Sequence, residues 1–198
     1  QTTKYVLRSI YTSFHWSNVV NMKPVSSKQR GNRPDWYEYY INIAIAVRDR
    51  ANCHGSKIGS ILVLDNRILT TGYNGTPQDM QNCDEGGCDR CADRQTYSSG
   101  EAYDLCICVH AEQNTLLSAA RFGISVEGAD LYTTLQPCFG CTKELLQAKI
   151  NAVYYLHDWK PSSSSLVSAL KKLHGRFPGG MKKIEADDPK QEWARSIN

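Results

Sequence analysis

The chain has 198 residues, 41% of them hydrophobic and 22% charged, with a formal net charge of +3. That composition is ordinary for a soluble globular protein, and the length suffices for one domain to bury a core without disulfides. No apolar run approaches the ~18–20 residues of a membrane span, so no membrane partner is expected. The charge is uneven: residues 1–34 hold six basic side chains and no acid, which leaves 17 basic against 20 acidic residues in 35–198, a net −3.

The acid-free head, QTTKYVLRSIYTSFHWSNVV, is rich in Ser and Thr, as organelle transit peptides are. Leu7, Ile10, Tyr11 and Phe14 also fall at helical spacing. An appended helix on a cytoplasmic protein is the simpler expectation, with an organelle the alternative. The stretch MKPVSSKQRGN reads as a linker, dividing the chain into a basic extension, 1–32, and a domain, 33–198.

Pro34 can occupy a first helical position, and Trp36, Tyr40, Ile43 and Val47 recur at amphipathic spacing, predicting a helix that ends near Asn52. IGSILVL and ILTTGY, separated by DNR, read as a β-hairpin. From Asn74 to Cys108 there is no clear period, and such a stretch inside a domain calls for a functional loop or a metal clip. A helix is predicted from about Val109 to Phe122 with Gly123 at its end, then a strand in ADLYTTL. Pro137 opens a second helix to about Ile150, AVYYLHD is a strand, and SSSLVSALKKLHG is a Ser-capped helix. MKKIEA is a last short strand. Helices alternating with strands after a hairpin predict an α/β domain, three-layer α/β/α around a mixed central sheet. Each chemical motif then sits at a helix N-terminus, where open sheets of this kind bind ligands.

Eight cysteines are an even number, which suits disulfides, but their CxxC spacings favour metal in a reducing compartment. The decisive pairing is HAE at 110–112 with PCFGC at 137–141. The pattern H-x-E…P-C-x-x-C is the signature of zinc nucleobase deaminases. Cys138 and Cys141 are i and i+3 in a first helical turn, on one face, where the helix N-terminus favours the thiolate that a metal requires. With His110 they make three ligands and leave a tetrahedral zinc one position for water, the mark of a catalytic site. Glu112, two residues past His110, does not share its face. It is placed to take a proton from that water and deliver it to the substrate. Taken singly, His110 reads as a core histidine and the CxxC as a structural half-site; together they do not.

The segments RPDWYEYYINIAIAVRDRANC, GYNGTPQDMQNCDEGGCDRC, CICVHAEQNTLLSAARFG, LYTTLQPCFGC and VYYLHDW together resemble deoxycytidylate (dCMP) deaminases of the cytidine deaminase superfamily, from about Arg33 to Trp159. The resemblance implies a cytidine-deaminase-like fold and hydrolysis of dCMP to dUMP and ammonia, which supplies thymidylate synthesis. It also implies a homo-oligomer, commonly a hexamer, with dCTP as activator and dTTP as inhibitor. In the family the asparagine of GYNG, here Asn74, contacts the nucleotide, and Gly72 and Gly75 would let the backbone come close. Tyr154 matches an aromatic position near the base pocket. Trp159 stands where the family usually has a tyrosine. Lys57 is a candidate phosphate contact. Asn114 and Arg121 match residues that link active and allosteric sites. The family also implies a second, structural zinc, with Cys53, Cys83, Cys88 and Cys106 as ligands and Cys91 as the competitor for Cys106. Cys108 is left as a small buried side chain without a metal role.

Rival readings are deamination of another cytosine nucleotide, deamination of a base within tRNA, and a deaminase fold kept as a binding module. The second needs a cationic surface for phosphates, and residues 35–198 show no basic stripe. The third has no use for Glu112.

Overall fold

The computed structural model describes residues 33–93, 95–97, 101–161 and 163–194. The expected N-terminal extension, with its helix and linker, lies outside the described residues. From Pro34 onward the chain forms one compact unit.

The first helix, α1 (Trp36–Arg48), begins two residues later than Pro34 suggested. Asp35 takes the N-cap, its Oδ1 accepting the Glu38 N–H at 2.9 Å, so the helix starts where a side chain satisfies its first free donors. The hairpin follows as β1 (Gly59–Leu64) and β2 (Arg67–Tyr73). Its turn is Asp65-Asn66, both at positive φ (50° and 60°), the backbone twist that matches two strands joined by two residues. The aperiodic stretch contains a 3-10 turn at Cys83–Glu85 and a single helical turn, α2 (Asp89–Ala92).

Next come α3 (Ala111–Arg121), β3 (Asp130–Leu135), α4 (Phe139–Gln147), β4 (Ala152–His157), α5 (Ser164–His174) and β5 (Gly180–Lys183). Both central helices start later than their predicted first residues because their caps are the chemical residues themselves. His110 and Cys138 are N-caps with extended ψ of 156° and 174°, so their side chains project ahead of α3 and α4. Ser163 caps α5, accepting the Leu166 N–H, as the serine run predicted.

The sheet order is β2-β1-β3-β4-β5. β2, β1 and β3 are antiparallel, and β3, β4 and β5 are parallel, so the sheet is mixed. Alternation along the strands sends Ile61, Tyr132 and Tyr154 to the face covered by α1. Leu62, Leu131 and Val153 point to the other face, against Leu116 of α3 and Leu145 of α4. The result is the three-layer α/β/α arrangement. No helix among the described residues is long and apolar enough to cross a membrane.

A C-terminal strap completes the fold. Lys57 N–H donates to the Trp193 carbonyl at 2.8 Å, and Ser56 Oγ donates to the Ala194 carbonyl at 3.3 Å. The strap thereby fixes the segment between α1 and β1.

Candidate active site and thiolate clusters

The loop entering α3 and the loop leaving β3 meet at the carboxyl end of the parallel strands, where open α/β sheets carry their ligand sites. His110 Nδ1 lies 3.4 Å from Cys138 Sγ and 3.3 Å from Cys141 Sγ. A tetrahedral zinc with its usual bond lengths requires nitrogen–sulfur edges of about 3.5 Å, so the donor set fits that ion. The helix-start geometry explains the convergence: Cys138 caps α4 and Cys141 lies in its first turn, both facing the cap of α3.

The three donors share protons tightly, and a bound cation would take the place of those protons. The thiol of Cys141 donates toward Cys138 and holds it down to about 4 against the effect of burial, with His110 adding to the same direction. Burial alone would lower His110, but the bond and charge of Cys138 outweigh it and raise the imidazole to about 9. Glu112 is buried, and desolvation pushes its carboxyl up to about 7. A carboxyl near neutrality can both accept and release a proton at working pH. The Thr133 hydroxyl lies 3.4 Å from Glu112 Oε1 and 3.2 Å from the Leu135 carbonyl, one proton between two acceptors.

Gln113 locks the two ligand-bearing helices together. Its Oε1 accepts the His110 N–H at 3.0 Å, and its Nε2 donates to Glu144 Oε1 on α4 at 3.0 Å. Thr133 carries no local sequence signal, whereas a glutamine three residues past a cap, here Gln113, is a recognisable one.

A cavity opens at His110, lined also by Ser56, Asn74, Arg90, Tyr103 and Trp159. Asn74 is buried and bonded at both ends of its amide: Oδ1 accepts the Ile58 N–H at 2.7 Å, and Nδ2 donates to the Ser56 carbonyl at 2.7 Å. Its turn is braced from below by Gly75, whose backbone pairs with Val109, the residue before His110. Trp159 does reach the cavity, and its buried Nε1 has no hydrogen-bond partner among the described residues. Tyr103 meets the His110 ring edge-on, centroids 5.1 Å apart. Neither Arg90 nor Tyr103 carried a sequence signal, since both lie in the aperiodic stretch.

Other expected residues lie elsewhere. Tyr154 does not reach the cavity. Strand alternation turns it to the α1 face, stacked on Tyr132 with centroids 4.8 Å apart and tilted against Tyr37 at 4.9 Å. The Lys57 ammonium sits over the Trp193 ring, 4.7 Å from its centroid, rather than in the cavity. Asn114 donates to the Tyr73 carbonyl at 2.6 Å, and Arg121 reaches Gln78 at 3.4 Å, both on the solvent side of α3. Asn114 and Gly75 line a second depression, separate from the first.

The six remaining cysteines cluster beside the cavity, and four of them, Cys53, Cys91, Cys106 and Cys108, line its wall. The structure does not collect Cys53, Cys83, Cys88 and Cys106 into one ligand set. Two sets appear instead, Cys53-Cys83-Cys91-Cys108 and Cys88-Cys91-Cys106-Cys108, each with all sulfurs within 4.8 Å of one another. Cys108, expected to be a bystander, and Cys91, expected to be only a competitor, belong to both. The reason is geometric: in each of the motifs Cys88-x-x-Cys91 and Cys106-x-Cys108 the second sulfur turns inward, toward Cys53 and Cys83.

The model of the cytidine and deoxycytidylate deaminase zinc-binding region matches residues 34–157. The chain belongs to this family. Among curated members of the deaminase family, the deoxycytidylate deaminase of Schizosaccharomyces pombe is 42% identical over 139 residues, which cover 69% of this chain and 42% of the relative. That of Mycobacterium phage D29 is 39% identical over 132 residues, covering 63% of this chain and 96% of the relative. The chain thus spans about two fifths of the length of its fungal relative and nearly all of the phage one. The dCMP deaminase of cyanophage S-TIM5, solved in complex with dCMP and dUMP, superposes with a TM-score of 0.57 at 28% identity, covering 77% of this chain and 98% of that one. The family's zinc-binding region contains both the histidine cap and the two cysteines of α4.

Proposed function

We propose that this chain deaminates dCMP hydrolytically to ammonia and dUMP, and that the dUMP would feed thymidylate synthesis. The observation that carries the reading is the convergence of His110, Cys138 and Cys141 beside a buried Glu112. The fungal and phage relatives are named for this activity, and the cyanophage protein was solved with both substrate and product.

His110, Cys138 and Cys141 would hold a catalytic zinc, which when bound supplies a water acidified toward pKa ~7 and a Lewis-acidic charge. The protein's own groups do the rest. Glu112 would accept a proton from the attacking water and pass it to the ring nitrogen of the base, then take the remaining proton from the hydroxyl newly bound to the ring carbon and hand it to the departing amine as the C–N bond breaks. Thr133 holds the carboxylate in place, and burial keeps its proton affinity near neutrality. Asn74 shapes the cavity wall at Ser56 and Ile58 and keeps amide valences free for the nucleotide. Asn114, which lines the second depression, and Arg121, which bonds to Gln78 on its rim, would carry the dCTP and dTTP response. Leu117 on the same helix and Phe122 at its C-cap, both exposed, would offer apolar surface for a homo-oligomer.

Ammonia release measured on dCMP, CMP, dCTP, deoxycytidine and a tRNA tests the substrate, with dCTP and dTTP added to test control. Turnover of dCMP alone is expected. Turnover of the tRNA with silent nucleotides would overturn the substrate while leaving the zinc chemistry intact. Glu112→Gln is expected to lose at least ~10³-fold in kcat, within the usual reach of general acid–base catalysis, while keeping its zinc.

A further inference from the structure

We infer that the six cysteines outside the catalytic site hold two zinc ions in one cluster, with Cys91 and Cys108 as bridging thiolates. This inference concerns the wall of the cavity and does not depend on the substrate.

The argument starts from distances. All eight cysteines are free thiols, and no sulfur pair among the six is at bonding distance. Four sulfurs around one zinc stand about 3.8 Å apart, given a bond length of 2.3 Å. The observed separations are 3.8 Å for Cys53–Cys91, 3.9 Å for Cys88–Cys106, 3.5 Å for Cys91–Cys106 and 4.0 Å for Cys91–Cys108. Every sulfur within each quartet lies inside 4.8 Å of the others.

The count then decides the number of ions. A structural zinc takes four ligands and is closed. One ion in the first quartet would strand Cys88 and Cys106, and one ion in the second would strand Cys53 and Cys83. Two quartets sharing Cys91 and Cys108 use all six sulfurs and strand none. The geometry is two tetrahedra joined along one edge, each metal keeping two terminal thiolates. Soft thiolates in tetrahedral array select zinc over the oxygen-seeking cations.

The chain connectivity assigns the two metals different tasks. The second quartet lies wholly within residues 88–108, so its metal closes that loop on itself. The first quartet adds Cys53, just past α1, and Cys83, in the 3-10 turn, so its metal fastens the loop to the domain. Backbone amides support both of these terminal sulfurs: His54 N–H donates to Cys83 Sγ and Gly55 N–H to Cys53 Sγ, each at 3.3 Å. Such bonds offset the negative charge that thiolates keep after binding metal. Loading six thiols with two Zn²⁺ releases six protons and leaves the cluster at −2. Cys108 lies two residues before His110, and Cys53, Cys91, Cys106 and Cys108 line the cavity, so the cluster also sets the position of the catalytic loop.

The test is metal content of the full chain purified from zinc-supplemented medium, followed by cadmium-113 NMR after exchange. Three zinc ions per chain are expected in the unsubstituted protein and in Glu112→Gln, and two in His110→Ala. The cadmium form should show two tetrathiolate resonances split by coupling to each other through the shared sulfurs. Because the stoichiometry and coupling are read on the unsubstituted protein, a poorly folding variant cannot obscure them. Two zinc ions per chain, with two of the six thiols open to alkylation in the folded protein, would overturn the cluster. So would iron with inorganic sulfide, or two cadmium signals without mutual coupling. None of these outcomes bears on whether dCMP is the substrate.

Discussion

Arg48, at the end of α1, and Asp188, 140 residues later, form a buried bidentate ion pair, Nη1 to Oδ2 at 2.8 Å and Nη2 to Oδ1 at 2.6 Å. The Asp188 carboxylate receives a further bond from His157 Nε2 at 2.7 Å. This pair clamps the C-terminal strap onto the helix that precedes the cysteine loop. Removing one partner leaves the other charge buried and alone, which typically costs ~3–5 kcal/mol. Asp188→Asn is therefore expected to lose about that much in denaturant unfolding.

The same carboxylate predicts an acid limit. Burial alone would raise its pKa, but the bonds from Arg48 and His157 outweigh burial and hold it well below the usual range. A depressed folded pKa means that the stabilisation is complete above the unfolded aspartate value of ~3.9 and drains as pH falls toward the folded value. Unfolding midpoints measured from pH 6 to 2 should show that loss in the unsubstituted protein and a shallower one in Asp188→Asn. Parallel curves would remove Asp188 from the account.

Gly72 marks the closest approach of β2 to α3. A Cβ there would fall against the Ala111 carbonyl and the Thr115 amide, both backbone atoms that cannot swing aside. Gly72→Ala should cost ~1–3 kcal/mol, as overpacking does, and shift α3 with its His110 and Glu112. A crystal structure of the variant with α3 unmoved, or unchanged stability, would contradict this.

Asn74→Asp separates the two ends of one amide. The new carboxylate still accepts from Ile58 N–H but sets an acceptor against the Ser56 carbonyl, a loss of ~1–3 kcal/mol for an unsatisfied buried group. KM for dCMP should rise together with that loss. An unchanged KM in a destabilised variant would assign Asn74 to structure alone.

Trp159 lines the cavity, and its buried indole N–H has no hydrogen-bond partner among the described residues. Trp159→Phe keeps the apolar bulk and removes the donor, so stability should move by less than about 1 kcal/mol while KM rises about tenfold, the loss expected for one hydrogen bond to a ligand. Equal KM values would mean that the nucleotide does not use this donor.

The candidate catalytic centre is legible in the chain because its chemistry is local. His110 and Glu112 are two residues apart, Cys138 and Cys141 three, and the caps of two helices need only meet. The alternation of apolar residues likewise specified the hairpin, the parallel strands and the layered fold, since side-chain period follows directly from backbone geometry. Tyr154 was misplaced although its strand was read correctly. Which face of a strand meets which helix depends on how the layers stack, and residue period alone does not fix that. The cysteine quartets and the Arg48–Asp188 clamp were hidden for the same kind of reason. They join segments tens of residues apart through an aperiodic loop and a C-terminal strap, where no local rule relates one side chain to the next. Spacing nominates the cysteines as candidate metal ligands; only the folded chain decides that Cys91 and Cys108 belong to both sulfur groups, because proximity between distant segments is a property of the tertiary structure.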